Sequence, residues 1–131
     1  MSLFWLLPLF IITLLIIVLI LGLIPPKIKI HKGLLIVHCI FGKKFLIQGI
    51  TSIRLVTKLP SLNYKIWGFD IGDVRKGEFE VVDMGRGQVY VHSLYPPFII
   101  IEMQKLFVIL NTYKPHDTKQ LFKEINKAMD N

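Results

Sequence analysis

The chain opens with an unbroken apolar stretch. Positions 3–24 read LFWLLPLFIITLLIIVLILGLI, in which Thr13 is the only polar side chain. As a helix with a rise of about 1.5 Å per residue, this stretch spans about 33 Å, which is enough to cross the hydrocarbon core of a bilayer. Gly22 and the pair Pro25-Pro26 end the helical pattern. Positions 1–26 are therefore predicted to form a transmembrane anchor.

Two other interpretations of this segment fit less well. A cleaved signal peptide has a basic start, an apolar stretch of about 7–15 residues and a cleavage site with small residues. Positions 1–26 carry no charged residue, and their apolar stretch is longer. A core helix of a soluble domain would show a polar face, which is absent here.

After position 26 the pattern changes to alternation. The segment 27–31 (KIKIH) alternates strictly between polar and apolar residues, which is typical of a half-buried strand. The segment 64–77 contains Gly68, Gly72 and Gly77 among large apolar residues, which favours a bent or bulged strand at the side of a sheet. Further strand patterns cover 34–41, 45–47, 50–58, 78–81, 88–92, 98–103 and 106–112, the last two joined by a tight turn at 104–105.

Only the last segment has a helical period. After Pro115, Asp117 is the predicted N-cap, and apolar residues recur on one face at Leu121, Phe122, Ile125, Ala128 and Met129. About seven short strands followed by an amphipathic helix predict a mainly β domain over 27–131. We expect a closed or nearly closed antiparallel barrel with this helix as its lid.

Composition and charge locate the protein further. Of 131 residues, 16 are Lys or Arg and 9 are Asp or Glu, for a net charge of +7, and all of them follow position 26. A hydrophobic content of 53% excludes intrinsic disorder, and a single cysteine excludes a disulfide scaffold. Because Lys27, Lys29 and Lys32 follow the anchor directly, the domain is expected on the cytoplasmic side of the cell membrane.

The middle of the domain resembles a known family. The pair Leu59-Pro60, the glycines Gly68 and Gly72, and the Gly77-x-Phe79 opening of the next strand are similar to the pattern of bacterial pleckstrin-homology-like domains. The isoleucine-rich hairpin and the closing helix continue the similarity over most of 27–129. The resemblance implies two nearly orthogonal antiparallel sheets capped by a helix, and a binding or scaffolding role.

The sequence offers no convincing catalytic or metal-binding set. The four histidines are scattered, and His38 and Cys39 are neighbours whose side chains would face opposite sides of a strand. Glu78 and Glu80 share one face, which solvent exposure explains. The glycines do not follow a phosphate-loop pattern. We therefore expect no enzyme activity, no cofactor, no metal and no nucleic-acid partner.

Two candidate surfaces follow from the strand pattern and the charges. Lys65, Trp67 and Phe69 are the candidate partner surface, although core packing is the competing interpretation for the two aromatic residues. The candidate contacts with anionic lipid are Lys27, Lys29, Lys32, Lys43, Lys44 and Arg54.

The functional expectation is a single-pass, membrane-anchored binding and scaffolding module that contacts a membrane-protein partner or a second copy of itself, with anionic lipid as an accessory ligand. Two alternatives stay open. The chain is an accessory subunit of a membrane enzyme or transport complex without catalytic groups of its own, or it is a domain that binds anionic lipid headgroups.

Overall fold

The computed structural model describes residues 3–39 and 41–130. These residues form two α-helices, nine strands and two short 3-10 turns. The helices are α1 (Leu6–Leu23) and α2 (Pro115–Met129). The strands are β1 (Lys27–His31), β2 (Leu34–His38), β3 (Lys44–Leu46), β4 (Ile50–Val56), β5 (Leu62–Ile71), β6 (Val74–Val81), β7 (Gly85–Val91), β8 (Phe98–Met103) and β9 (Phe107–Leu110).

The first helix is long and apolar enough to cross a membrane. With the 3-10 turn before it, the segment Leu3–Leu23 has 21 residues, a mean hydropathy of 3.2 and only 6% of its most apolar part buried. Within α1, Gly22 is the buried residue. The helix therefore leaves the domain with nearly all its apolar side chains uncovered, as the sequence pattern predicts.

The strands form two sheets. The smaller sheet is the antiparallel meander β1-β2-β3, and the larger has the order β4-β8-β9-β7-β6-β5. The single bent strand predicted over 64–77 is in fact two strands, since β5 ends at Ile71 and a turn leads into β6 at Val74. Its first part, β5, lies at one side of the larger sheet and has register shifts at 62–64 and 65–67. The predicted hairpin of β8 and β9 also forms, with Met103 and Leu106 bonded across its turn.

The middle strands of the larger sheet, β7, β8 and β9, are buried on both faces. One face packs against β2, β3 and α2 in a cluster that includes Leu35, Tyr90, Ile99 and Ile125, each 0% exposed. The other face has a separate cluster around Phe79, against which Val56 at the end of β4, Leu59 in the connection and Leu62 at the start of β5 also pack. The apolar stripe of α2 thus covers the domain, as its period predicts.

Three other structural expectations need correction. The strands do not close into a barrel, since β4 and β5 are the two sides of an open six-stranded sheet. The larger sheet is not wholly antiparallel, because β7 and β9 pair in parallel at Gln88–Tyr90. Asp117 is not the N-cap of α2: the helix begins at Pro115 after Lys114, since proline suits the first helical position, and Asp117 lies in the first turn.

One row of paired residues defines the orientation of the larger sheet relative to α1. Across the six strands this row runs through Phe69, Lys76, Tyr90, Leu110, Ile99 and Leu55. Two members of the row, Phe69 and Lys76, contact the last turn of α1 and the residue after it. We call the strand ends just beyond this row, with the connections 71–74, 92–97 and 111–114, the α1 end of the sheet.

Candidate functional site

The junction between α1 and the sheet is closely fitted. A Cβ atom on Gly22 would overlap three carbons of the Phe69 ring, so only glycine allows this approach of helix and strand. Phe69 is 7% exposed as a result. Beside it, the ammonium group of Lys76 donates a hydrogen bond to the backbone carbonyl of Ile24, just after the last turn of α1. Two independent contacts therefore fix the helix to the domain.

Lys76 is the most unusual side chain of this junction, since it is fully buried and donates its hydrogen bond to a backbone carbonyl, not to a carboxylate. The carbonyl end of a helix attracts a cation, so this position favours the ammonium group. Burial lowers the pKa of Lys76, and the nearby Cys39 opposes this shift. Sequence reasoning missed Lys76, because a lysine in a strand is normally exposed.

A tyrosine and a cysteine lie near the same junction. The hydroxyl of Tyr90 donates to the carbonyl of Phe41 at 2.9 Å, and burial raises the pKa of Tyr90. Burial also raises the pKa of the Cys39 thiol, against the smaller effects of a backbone hydrogen bond with Phe41 and of the Lys76 charge. A thiol with a raised pKa is a poor nucleophile at neutral pH.

Next to the junction, a small cavity lies under an exposed tryptophan. Trp67 is 68% exposed, and its ring stands edge-on to Phe41 with 5.9 Å between the ring centroids. The two rings line a cavity of about 170 Å³ together with Lys43, Glu78 and Gln88, besides two glycines. An aromatic anchor beside a pocket that contains one cation, one anion and one amide is typical of a recognition surface.

The three residues of the candidate partner surface do not lie together on one exposed face of the sheet. In the pairing with β6, Lys65 is opposite Phe79 and Trp67 is opposite Glu78. Because Glu78 and Phe79 are neighbours on a strand and face opposite sides, the bulge at 66 turns Lys65 and Trp67 to opposite faces as well. Phe69 shares the face of Trp67 but is buried against α1. Of the three residues, only Trp67 borders the cavity.

The candidate lipid contacts are also spread over the domain. Lys27 starts β1 shortly after the apolar helix α1, and Lys29 is the next exposed residue on the same face. Lys32 lies in the turn between β1 and β2, at the opposite end of β1. Lys43 and Lys44 lie before and at the start of β3, and Arg54 forms a 3.0 Å ion pair with Glu102 on β8.

The catalytic candidates show no convergent geometry. Among residues 3–39 and 41–130, no group of three His, Cys, Asp or Glu side chains could hold a metal ion. Glu78 and Glu80 are both half-buried on one face of β6, and Phe79 and Val81 fill the core on the other. This placement is the one that strand alternation predicts for a sheet with unlike faces.

Comparison with known proteins identifies no relative of this chain. No family model matches the chain, and neither a curated protein nor a solved structure matches it. The features of the chain that bear on its function are therefore the junction between α1 and the sheet and the Trp67 cavity beside it.

Proposed function

We propose that this chain is a single-pass membrane protein whose pleckstrin-homology-like domain is a non-catalytic binding and scaffolding module on the cytoplasmic side. Its partner is a membrane protein or a second copy of the chain. The observation that carries the proposal is the exposed Trp67 ring, supported on Phe41 beside a cavity with Lys43 and Glu78 in its lining.

The junction with α1 supports a permanent anchor over a cleaved signal segment. Removal of the helix would leave Phe69 uncovered and the buried Lys76 without its carbonyl acceptor. A buried lysine that loses its partner is costly, since the charge keeps its desolvation penalty without compensation. A domain that matures without its first helix would not be expected to preserve such contacts.

The position of Trp67 supports a partner at the membrane. Trp67 is two residues from Phe69, or about 7 Å along the strand. Phe69 itself touches the last turn of α1, where the apolar segment ends. A partner that covers Trp67 therefore works within a short distance of the bilayer surface, where neighbouring membrane proteins and other copies of this chain are concentrated.

Photocrosslinking in cells tests this proposal. A photoreactive residue at Trp67 is expected to yield one dominant protein adduct in the membrane fraction, and its mass distinguishes a second copy from another protein. Leu46 is the matched control, because it is 63% exposed on β3 but does not line the Trp67 cavity. Purified partner and full-length chain should then bind more weakly when Trp67→Ala is introduced, by about thirtyfold for a central aromatic anchor.

Two results would contradict the proposal. Adducts that are the same from positions 67 and 46 would show that Trp67 is not a specific contact. Adducts formed with lipid only would show that the Trp67 ring faces the bilayer and not a protein.

A further inference from the structure

Four large side chains are exposed together at the α1 end of the sheet. They are Ile71, Leu94, Tyr95 and Tyr113, and their exposed fractions lie between 46% and 64%. They belong to three separate segments of the chain. Ile71 is the last residue of β5, Leu94 and Tyr95 lie in the loop between β7 and β8, and Tyr113 lies in the link between β9 and α2. Separate segments of the chain thus bring apolar and aromatic groups to one end of the domain.

The same end of the domain is where α1 leaves it. The last turn of α1 and the residue after it contact Phe69 and Lys76, which lie two positions before the end of β5 and two positions after the start of β6. Strand β1 also begins there, since Ile28 lines one cleft together with Thr112, which follows β9. Because α1 is otherwise exposed, the helix extends away from the domain and does not run back over the sheet.

The loop that carries Leu94 and Tyr95 is held in place by hydrogen bonds. The buried Asn111 accepts a bond from the backbone N–H of His92 at 2.8 Å and donates one to the carbonyl of Ser93 at 2.8 Å. The Tyr113 ring stands edge-on to the His92 ring at 5.7 Å between centroids. Hydrogen bonds and a ring contact therefore hold the β7–β8 loop and the β9–α2 link, which carry these exposed side chains, in a defined position.

We infer that this end of the domain contacts the lipid interface directly, with Ile71, Leu94, Tyr95 and Tyr113 among the headgroups and upper acyl chains. The occupant is lipid because these groups continue the apolar surface of α1 at the level where the helix ends, and tyrosine favours this layer of a membrane. Exposed Lys58 and Lys114, which follow β4 and β9 at the same end, suit anionic headgroups.

This contact rests on the membrane anchor of the proposed function and goes beyond it, because it would fix how the domain is oriented over the membrane. A single span leaves a domain free to tilt over the membrane. Membrane contacts from three separate chain segments, in addition to α1, would fix the tilt and rotation of the domain. Asp73, in the turn that follows Ile71, limits how deeply this end of the domain enters the membrane, because a carboxylate is costly below the headgroups.

Spin-label accessibility in the full-length protein tests the inference. Single cysteines carrying a nitroxide at positions 71, 94 and 113, in a Cys39→Ala background, are measured in nanodiscs of phosphatidylcholine and phosphatidylglycerol. Collision with a water-soluble nickel complex is expected to be several-fold lower at these positions than at position 46, the exposed control on β3, while collision with oxygen is higher. A label at Leu15, near the middle of α1, is the reference for the anchor.

Each outcome decides one claim. If labels 71, 94 and 113 collide with nickel as often as label 46 while label 15 is in lipid, the interface contact is wrong and the anchor stands. If the three labels are shielded from both nickel and oxygen, protein covers them and the lipid contact is also wrong. If label 15 is in water, the span itself fails, and the interface contact fails with it. The crosslinks of Trp67 are read independently of all three outcomes.

Discussion

Gly22→Ala should release α1 from the sheet. The added methyl group would overlap the Phe69 ring, which is buried against the last turn of the helix. Because alanine is a better helix former than glycine, by about 1 kcal/mol, the substitution does not weaken the helix itself. The expected result is an intact helix and an intact domain that no longer contact each other through Phe69 and Lys76.

The size of the effect follows from the two contacts that are lost. Burying one phenylalanine side chain is worth about 1.5–3 kcal/mol, and a hydrogen bond from a charged donor about 1.5–3 kcal/mol. Their sum, about 3–6 kcal/mol, is an upper value for the free energy of docking, since part of the Phe69 ring stays covered by its own strand. At 1.4 kcal/mol per factor of ten, the docked state, in which the Lys76 ammonium group is covered, should outnumber the undocked state by about two to four orders of magnitude.

Lysine acetylation followed by mass spectrometry measures this protection directly. In the parent chain, Lys76 should react about two to four orders of magnitude more slowly than the exposed Lys123 on α2, because its amine reacts only when the helix is undocked. Gly22→Ala should bring the Lys76 rate to within about tenfold of the Lys123 rate. Gly49→Ala is the matched control, since a Cβ there makes an ordinary 3.5 Å contact with Met103.

Two observations would refute this reasoning. If the acetylation rate of Lys76 is as low in Gly22→Ala as in the parent chain, the glycine is not needed for docking. Lys76 that already reacts like Lys123 in the parent chain would mean that α1 does not cover it. Hydrogen exchange of the β8 and β9 amides separates undocking from unfolding, because those amides should keep their protection when only the helix moves.

Three further predictions concern the folding of the domain, each followed by unfolding in detergent. Gly77→Ala should cost about 1–3 kcal/mol of stability, because Gly77 has a φ of 137° that alanine adopts only with strain, whereas Gly49→Ala should change little. Asn111→Ala should cost about 2–4 kcal/mol, since it leaves the half-buried N–H of His92 and the carbonyl of Ser93 in the β7–β8 loop without their partner, while the exposed Asn63→Ala should be nearly neutral. Burial, aided by a nearby lysine charge, lowers the pKa of His92 from its ordinary 6.5, so the unfolded chain binds the proton more readily. The contribution of His92 to the free energy of unfolding should be complete above pH 6.5 and should be lost as the pH drops toward the pKa of the folded state. His92→Gln should remove this part of the pH dependence.

Much of the secondary structure could be predicted, because its signals are local. The uninterrupted apolar stretch of α1, the alternation in β1 and the three-to-four residue period of α2 each follow from one segment taken alone. The bulged strand β5 was also predictable, since Gly68 and Gly77 face each other across the β5–β6 pair and leave no room for side chains. Each of these features depends on neighbouring residues in the chain or on one adjacent strand.

The arrangement of the sheets and of the candidate site could not be predicted in the same way. A parallel pair between β7 and β9 requires β8 to lie on the far side of β9, and nothing in the local pattern specifies that order. The bulge between Lys65 and Trp67 reverses which face each side chain occupies, although simple alternation places them together. The burial of Lys76 depends on the carbonyl of Ile24, 52 positions earlier, so the sequence around Lys76 carries no sign of it.

The contacts of α1 connect the two proposals made above. If Phe69 and Lys76 hold the helix, the direction in which Trp67 faces relative to the membrane is set by the fold and not by a flexible linker, since β1 begins only four residues after Leu23. Gly22→Ala should therefore weaken the Trp67 crosslink in the membrane while the Trp67 cavity stays intact. The labels at Ile71 and Leu94 should become more accessible to water in the same variant. A joint loss of both signals would show that the anchor orients the recognition surface as well as tethering it.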